Sequence, residues 1–469
     1  MVEVLGFGVA ALPFVVAGVF MLGFGWSAAR SGAMTLAVAV GAAVFWPGFE
    51  TGGLGVATLD GLSTAAAVLY VLFGGLLLYN LLSAGGAVEA VSQFLGELEP
   101  EQEGLALVVV IGVAPFFESV TGFGVAVVIS APILLAAGFS PLKAAVLASW
   151  GQCAVPWGAL GVGTVIGANL SDTSFAALSD WSAFLSLPLF TVYGVASVAL
   201  AGGRDGIRRR GVEAVLLGLL MGAGTLLTSL FLIPELSGAV GGLTATAAFL
   251  ALRRQRLSRL DLPVKSLLPY AVLLALLALA NGPGPISQVV GKLGTIFSGP
   301  GLPLFLSAAF AALLFGLGAR SMGEAVRGTA GQWLPTAGAV LTFVLAGEVV
   351  ASSGAAALLA SEAATLGDLY LMAAPVIGSL GGVLTGSNAA SNALFMPLQI
   401  ETAHSLDLPT LLTAAIQNVS GSHASLLAPQ RVVLAATATG LLGREGEIVR
   451  TALPPVVVSV IVLALIGAF

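Results

Sequence analysis

Apolar runs of about 17 to 25 residues recur along almost the whole chain, separated by short polar turns. At about 1.5 Å of rise per residue, each run is long enough to cross a hydrocarbon core of roughly 30 Å as a helix. The first, "VLGFGVAALPFVVAGVFMLGFGW", lacks a basic leader and an A-x-A cleavage site, so it is expected to be a retained span rather than a signal peptide. Two basic clusters, "GGRDGIRRRG" at 202 to 211 and "RRQRLSRLDLPVK" at 253 to 265, mark the cytoplasmic side. About two helix lengths lie between them, with Pro234 at the turn, so both clusters sit on one face of the bilayer.

Extending that logic puts the amino terminus outside and Arg30 inside, after the first span. Spans follow near 32 to 47 and 62 to 82, then one between Lys143 and the acidic loop 168 to 180, and others near 181 to 201, 212 to 233, 235 to 252, 266 to 281, 301 to 318 and 332 to 351. Residues 104 to 138 and 366 to 400 read as hairpins that enter and return, 409 to 442 as a broken span, and 448 to 468 as the last one. The loop "VEAVSQFLGELEPEQEG", without Lys or Arg, falls on the cytoplasmic side. Arg320, Arg327, Arg444 and Arg450 also fall inside, while Lys292 falls outside as the clear exception. The expected fold is an all-α polytopic membrane protein of about 12 transmembrane helices plus two re-entrant helical hairpins.

The two halves resemble each other. "VTGFG" at 120 to 124 matches "LTGSN" at 384 to 388, and "SPLKAAVLASWGQ" at 140 to 152 matches "LPTLLTAAIQNVS" at 408 to 420. An odd number of crossings separates the copies, which predicts an inverted repeat with halves at about 62 to 201 and 332 to 469, joined by spans over 211 to 318. The whole chain, 1 to 469, then forms one membrane transport domain.

Composition narrows the function. Hydrophobic residues make up 58% and charged residues 9%, against roughly 25% charged in soluble domains, so no soluble domain of useful size remains. The single cysteine, Cys153, excludes internal disulfides and a cysteine-rich metal cluster. A net charge of -6 spread over short loops suggests no nucleic-acid partner. No HExxH, paired-aspartate or Ser/His/Asp pattern suggests an enzyme, and no cofactor is implied.

Polar residues inside apolar segments are the candidate chemistry, because non-helical backbone survives in a bilayer only where protein or a water-filled cavity surrounds it. In "GVLTGSNAASNALF", Thr385 and Gly386 break the helix. Ser387 and Asn388 then stand where N-cap residues stand, with Ser391 and Asn392 one turn further on the same face. With free N–H groups and the positive helix end, they form a polar basket suited to a carboxylate. In "FFESVTGFGVAVV", Thr121, Gly122 and Gly124 supply the other break, and Glu118 lies just before it. An ionisable residue at that depth is a candidate proton carrier; the competing role is a structural carboxyl bonded to N–H groups at the turn.

A polar helix follows each hairpin, the first with Gln152, Cys153 and Pro156, the second with Gln417, Asn418, Ser420, Ser422, His423, Gln430 and Arg431. Gly421 and Pro429 are expected to break the second. His423 is either a proton relay or anion ligand, or a packing histidine. Arg431 either pairs with a substrate carboxylate or snorkels to the cytoplasmic surface. Glu348 reads as interfacial, and His404 and Asp407 as loop residues.

These segments resemble the L-lactate permease family. "FFESVTGFGVAVVISAPILLAAGFSPLKAAVLA" followed by "WGALG", and "TGSNAASNALFMPLQ" followed by "SLLAPQRVVLAATATGLLGREGE", carry the likeness. The resemblance implies import of L-lactate, with D-lactate and glycolate, by proton symport across the cytoplasmic membrane. It also implies kinship with the wider ion-transporter superfamily, whose members carry Ser-Asn hairpin tips and often move as elevators. By motif position the implied site falls on Glu118, Gly122, Gly124, Ser387, Asn388, Ser391 and Asn392. The chain departs from the family's "EGAAGFG" at Ser119, Val120 and Thr121, and lacks the Lys or Asn often found near His423.

The sequence expectation is therefore a carrier whose partners are a small monocarboxylate, a coupling proton and membrane lipid. Glu118 would couple the proton. Thr121, Gly122, Gly124, Ser387, Asn388, Ser391, Asn392, Gln417, Asn418, His423, Gln430 and Arg431 would bind the substrate. The alternatives are a sodium-coupled carboxylate carrier or an ion antiporter of the same superfamily. Oligomeric state is not fixed by any sequence feature.

Overall fold

The computed structural model describes residues 2–46, 51–122, 124–281 and 299–468; Lys292, the exception in the charge pattern, lies outside them. Every regular element among the described residues is helical. Eight of those helices are long and apolar enough to cross a bilayer, so the chain is a polytopic, all-helical membrane protein.

In chain order the first half comprises α1 (Val2–Gly18), α2 (Ala28–Phe45), α3 (Leu54–Ala84), α4 (Ala87–Leu98), α5 (Gln102–Thr121), α6 (Val125–Ala136), α7 (Pro141–Trp150) and α8 (Val162–Leu170). Then come α9 (Phe175–Phe231), α10 (Ser237–Leu252), α11 (Val264–Asn281), α12 (Gly301–Leu314), α13 (Ala319–Ser352) and α14 (Ala355–Ala363). The last are α15 (Tyr370–Thr385), α16 (Asn388–Ser405), α17 (Thr410–Ala424), α18 (Pro429–Thr439) and α19 (Glu445–Gly467). The order of a broken helical pair followed by a broken helix occurs twice, as α5 to α8 and as α15 to α18.

Three stretches differ from the sequence expectation. Residues 202 to 211 are not an open loop: α9 keeps helical backbone on both sides of Gly203 (φ 61°) and folds there into two arms. Those arms run antiparallel, since Ser229 near one end hydrogen-bonds Ser179 near the other at 2.8 Å. The acidic stretch after residue 82 forms the amphipathic helix α4, which buries Val91, Leu95 and Leu98. Gly421 lies inside α17, and that broken span interrupts instead at residues 425 to 428, ahead of Pro429. One buried glycine without a turn requirement does not stop a helix, whereas proline has no N–H to continue one. His404 likewise belongs to α16 rather than a loop.

One panel of the molecule is α2, α3 and α13. Trp333 donates to the Leu69 carbonyl at 2.9 Å, and Asn80 donates to Thr329 at 3.1 Å. The other body is built around α5, whose apolar window is entirely buried. On it pack α6, α7, α9 and α10; α18 packs on α6 and α7, and α16 packs on α8 and α17, which themselves pack on α9. Close approach is needed where the bodies meet: a side chain at Gly75 of α3 would press on the Val120 and Thr121 carbonyls at 3.1 and 3.3 Å.

The acidic segment and the two basic clusters converge. Glu99, 1% exposed, bonds Arg253 and lies 3.6 Å from Arg210 and 3.5 Å from Arg256. Arg210 also bonds Glu101 at 2.5 Å and Glu213 at 2.8 Å, and Arg209 pairs with Glu103. Arg253 stacks over the Phe249 ring at 3.4 Å and bonds Glu213 at 2.5 Å. An acidic segment without Lys or Arg thus lies at the same end as the two basic clusters. The Arg210 guanidinium holds the Glu101 carboxyl below its ordinary value of 4.5, so the stability this contact contributes is present above that pH and is lost as pH falls through the lowered value.

Removing Arg253 leaves a buried carboxylate with more distant partners. Arg253→Ala is expected to cost about 3 kcal/mol of unfolding free energy. Arg320→Ala, which breaks a pair 92% and 61% exposed, should leave stability unchanged. Denaturant unfolding in detergent micelles reads both; equal effects would show that the Glu99 cluster is not structural.

Candidate functional site

Glycine places the two helix breaks. α5 stops at Thr121 because Gly122 takes φ 65°, and α15 stops at Thr385 because Gly386 takes φ 62°. Side-chain-bearing residues adopt such left-handed backbone at a cost. α16 then starts on Ser387, whose hydroxyl accepts from the Ala390 amide at 3.5 Å; Asn388 is its first helical residue rather than a cap. Thr121 points its hydroxyl back to the Phe117 carbonyl at 2.6 Å and so secures the last turn of α5. Gly124 begins the return helix, where an added side chain would meet Leu434 of α18.

Arg431 ties the breaks together. Its Nε donates to the Gly386 carbonyl at 2.8 Å, and its Nη1 reaches Gln152 Oε1 at 2.5 Å and Glu118 Oε1 at 3.5 Å. Arg431 is 7% exposed and Glu118 1% exposed, so the guanidinium does not snorkel. The other carboxyl oxygen, Glu118 Oε2, is buried without a hydrogen-bond partner among the described residues. Beside Arg431, Gln430 donates to the Thr385 carbonyl at 2.5 Å, so the first turn of α18 clasps the end of α15.

Two connected spaces adjoin this arginine. A chamber of about 20 Å³ is lined by Glu118, Gly158, Gly163, Ser387, Asn388 and Arg431. It has room for about one water-sized group. A cleft of about 320 Å³ shares Ser387 and Arg431 with it and extends past Gln430 to Thr336 and to Ser27–Ala29. Three helices begin on this cleft, α2 after Ser27, α16 after Ser387 and α18 at Pro429. Each start presents the positive end of a dipole beside a guanidinium, and those of α2 and α16 present unpaired N–H groups as well. That arrangement favours an anion. A larger cavity of about 850 Å³ lies between α3, α4 and α6, where Glu89 and Glu99 disfavour one.

The asparagines are not arranged as a basket of free donors. Asn388 and Asn392 both donate to Asn418 Oδ1, at 2.9 and 2.7 Å, and Asn392 donates also to the Gly163 carbonyl at 2.9 Å. Asn418 in turn donates to Thr164 at 3.1 Å and Ser182 at 2.8 Å. Asn392 spends both of its amide N–H groups and Asn388 one of its two, and the oxygens Asn388 Oδ1 and Asn392 Oδ1 are left without a partner among the described residues. Ser391 belongs to a separate ladder in which it accepts from Gln417 at 3.3 Å, and Gln417 accepts from Gln399 at 3.0 Å. His423 stacks on Tyr193, its Nδ1 3.2 Å from the phenol oxygen, and lines neither the chamber nor the cleft.

The structure therefore brings Glu118, Ser387, Asn388, Gln430 and Arg431 to one place. It keeps Ser391, Gln417 and His423 outside it. Ser27, Gln152 and Thr164 were not singled out as ligands from the sequence; a serine just before "AARSG" and a lone glutamine closing an apolar helix were the available signals.

A model of the family described as L-lactate permease matches residues 7–258 and 281–469. The chain belongs to the L-lactate permease family. An L-lactate permease of Streptococcus iniae is 27% identical over 382 residues, covering 74% of this chain and 80% of the relative. The glycolate permease GlcA of Escherichia coli (strain K12) is 23% identical over 457 residues, covering 82% and 80%. The L-lactate permease of the same strain is 24% identical over 451 residues, with the same coverage of both chains. The matched residues of this permease-family chain include both helix breaks and Arg431.

Asn418→Ala would orphan the amides of Asn388 and Asn392 together with the Thr164 and Ser182 contacts. It should lower unfolding free energy by about 2 to 4 kcal/mol. Thermal unfolding in detergent tests this, and a cost below that of an exposed substitution such as Thr437→Ala would mean the amide cluster carries no structural weight.

Proposed function

We propose that the protein imports lactate and related small 2-hydroxy monocarboxylates, glycolate among them, across the cell membrane by proton symport. The observation that carries this reading is a buried arginine shared by two helix breaks and a carboxyl, facing a cleft on which three helices begin. The substrate carboxylate binds Arg431 and the starts of α2 and α16. Its hydroxyl donates to Asn388 Oδ1, an acceptor with no other partner.

Glu118 carries the proton. While ionised, its carboxylate competes for Arg431; once protonated on the unpartnered Oε2, it releases the positive charge to the substrate. Proton and anion then enter as a neutral set, which lowers the cost of moving both through a low-dielectric barrier. In this reading α5–α6 and α15–α16 are re-entrant hairpins in an inverted repeat with halves at about 62 to 201 and 332 to 469, within about 12 spans and with the amino terminus outside. The body around α5 slides as an elevator against the panel of α2, α3 and α13, and the small residues between them permit the movement.

Sodium coupling is the second reading, favoured by the unpartnered oxygens of Asn388 and Asn392, since carbonyl oxygens also suit a hard cation. Lactate uptake into proteoliposomes driven by a pH gradient, with sodium absent, separates the two. Proton symport predicts accumulation there, and uptake only on adding sodium would replace it. Glu118→Gln is expected to keep lactate exchange and lose accumulation; wild-type accumulation would make the carboxyl structural. Asn388→Ala should weaken lactate binding by about 1 to 3 kcal/mol. An unchanged affinity in counterflow would move the hydroxyl site elsewhere.

A further inference from the structure

Arg431 has two side-chain acceptors, and the nearer one is neutral. Its Nη1 lies 2.5 Å from Gln152 Oε1 and 3.5 Å from Glu118 Oε1. Gln152 is fully buried, in the turn where α7 ends, and its own Nε2 donates to the Ser149 carbonyl at 3.4 Å. That bond aims the amide oxygen at the guanidinium. An amide holds a guanidinium without cancelling its charge, whereas a carboxylate cancels it.

We propose that Gln152 is a positioning residue that holds Arg431 in place, and at full charge, when Glu118 is protonated. This rests on the reading of Glu118 as the proton carrier. Without a second acceptor, a guanidinium released by Glu118 would be buried with only the Gly386 carbonyl to hold it and would swing toward the cleft. With Gln152 in place, the incoming carboxylate meets a fixed cation, so binding energy is not spent on ordering it. Among the described residues, the other ionisable side chain interacting with Glu118 is the Cys153 thiol, adjacent to Gln152. The face of α10 packed on α5 carries no ionisable side chain: Gly238 lies against Ser119 and Trp157, Gly242 against Gly112 and Phe116, and Thr246 against Gly112.

Positions 118 and 152 flank one guanidinium, one from α5 and the other from the turn that ends α7. A carboxyl should therefore serve at either position provided an amide stands at the other. The test compares wild type, Glu118→Gln, Gln152→Ala, Gln152→Glu and the exchange of both groups, Glu118→Gln with Gln152→Glu, in proteoliposomes. Counterflow of labelled lactate gives exchange and KM, and a pH gradient gives accumulation.

Glu118→Gln alone should exchange without concentrating lactate, and the swapped pair should recover at least half of wild-type accumulation. Each single change at Gln152 should raise the KM for lactate about tenfold, through loss of the aimed acceptor or through a permanent competing charge. A swapped pair that exchanges lactate but cannot concentrate it overturns the proposal. If that pair does not reach the membrane, a KM within twofold of wild type in both single variants overturns it instead. Wild-type accumulation by Glu118→Gln would instead defeat the proton-carrier reading, leaving the KM values to decide the role of Gln152.

Discussion

A guanidinium in the middle of a membrane protein cannot be left without acceptors, and much of the interior of this one is arranged to supply them. Isolated in a low-dielectric interior, an ion costs several kcal/mol even after relaxation. Arg431 is held by a backbone carbonyl freed at a helix break, by an amide at the end of a second helix and by a carboxyl in a third. Each acceptor exists because a helix stops or bends close to it. The glycines at 122 and 386 are thus electrostatic devices as much as geometric ones: they expose the backbone groups and helix ends with which a buried charge can be solvated.

The remainder of the fold keeps those ends in register. Asn418 joins α16 to α8 and α9 through four side-chain partners, which fixes where Ser387 and Asn388 stand relative to Gly163. At one end of the molecule the Glu99 and Arg253 cluster binds α9 and α10 to the segment leading into α5. The two ionic centres differ in kind. The peripheral cluster surrounds Glu99 with three arginines and so serves as a clamp, although Arg253 Nη2 is left without a partner, whereas the central one leaves the acceptors Glu118 Oε2, Asn388 Oδ1 and Asn392 Oδ1 without partners. Unfilled hydrogen-bonding capacity in a buried polar site suits a guest that arrives and leaves.

Much of this was legible in the residues. Thr-Gly at 121–122 and 385–386 marks the breaks, because glycine tolerates the left-handed backbone that ends a helix. Glu118 stood out by depth alone. Pairing was not legible: Arg431 lies 313 residues from Glu118 and 279 from Gln152, and no local pattern encodes contacts over such separations. Their place at a helix start suggests Asn388 and Asn392 as ligand donors, but Asn418 on a neighbouring helix accepts from both amides. The charge of residues 87–98 suggests a loop, yet the period of Val91, Leu95 and Leu98 makes them a helix. Gly421 is a weaker breaker than Pro429, since packing retains a single glycine inside α17.

The central claim is that Arg431, at the junction of the two helix breaks, receives the substrate carboxylate. A structure determined with bound L-lactate tests it most directly. The account predicts the carboxylate within hydrogen-bonding distance of the Arg431 guanidinium and the start of α16, with the hydroxyl turned to Asn388. Lactate seated in another cavity, with the bonds from Arg431 to Gly386, Gln152 and Glu118 undisturbed, would contradict it.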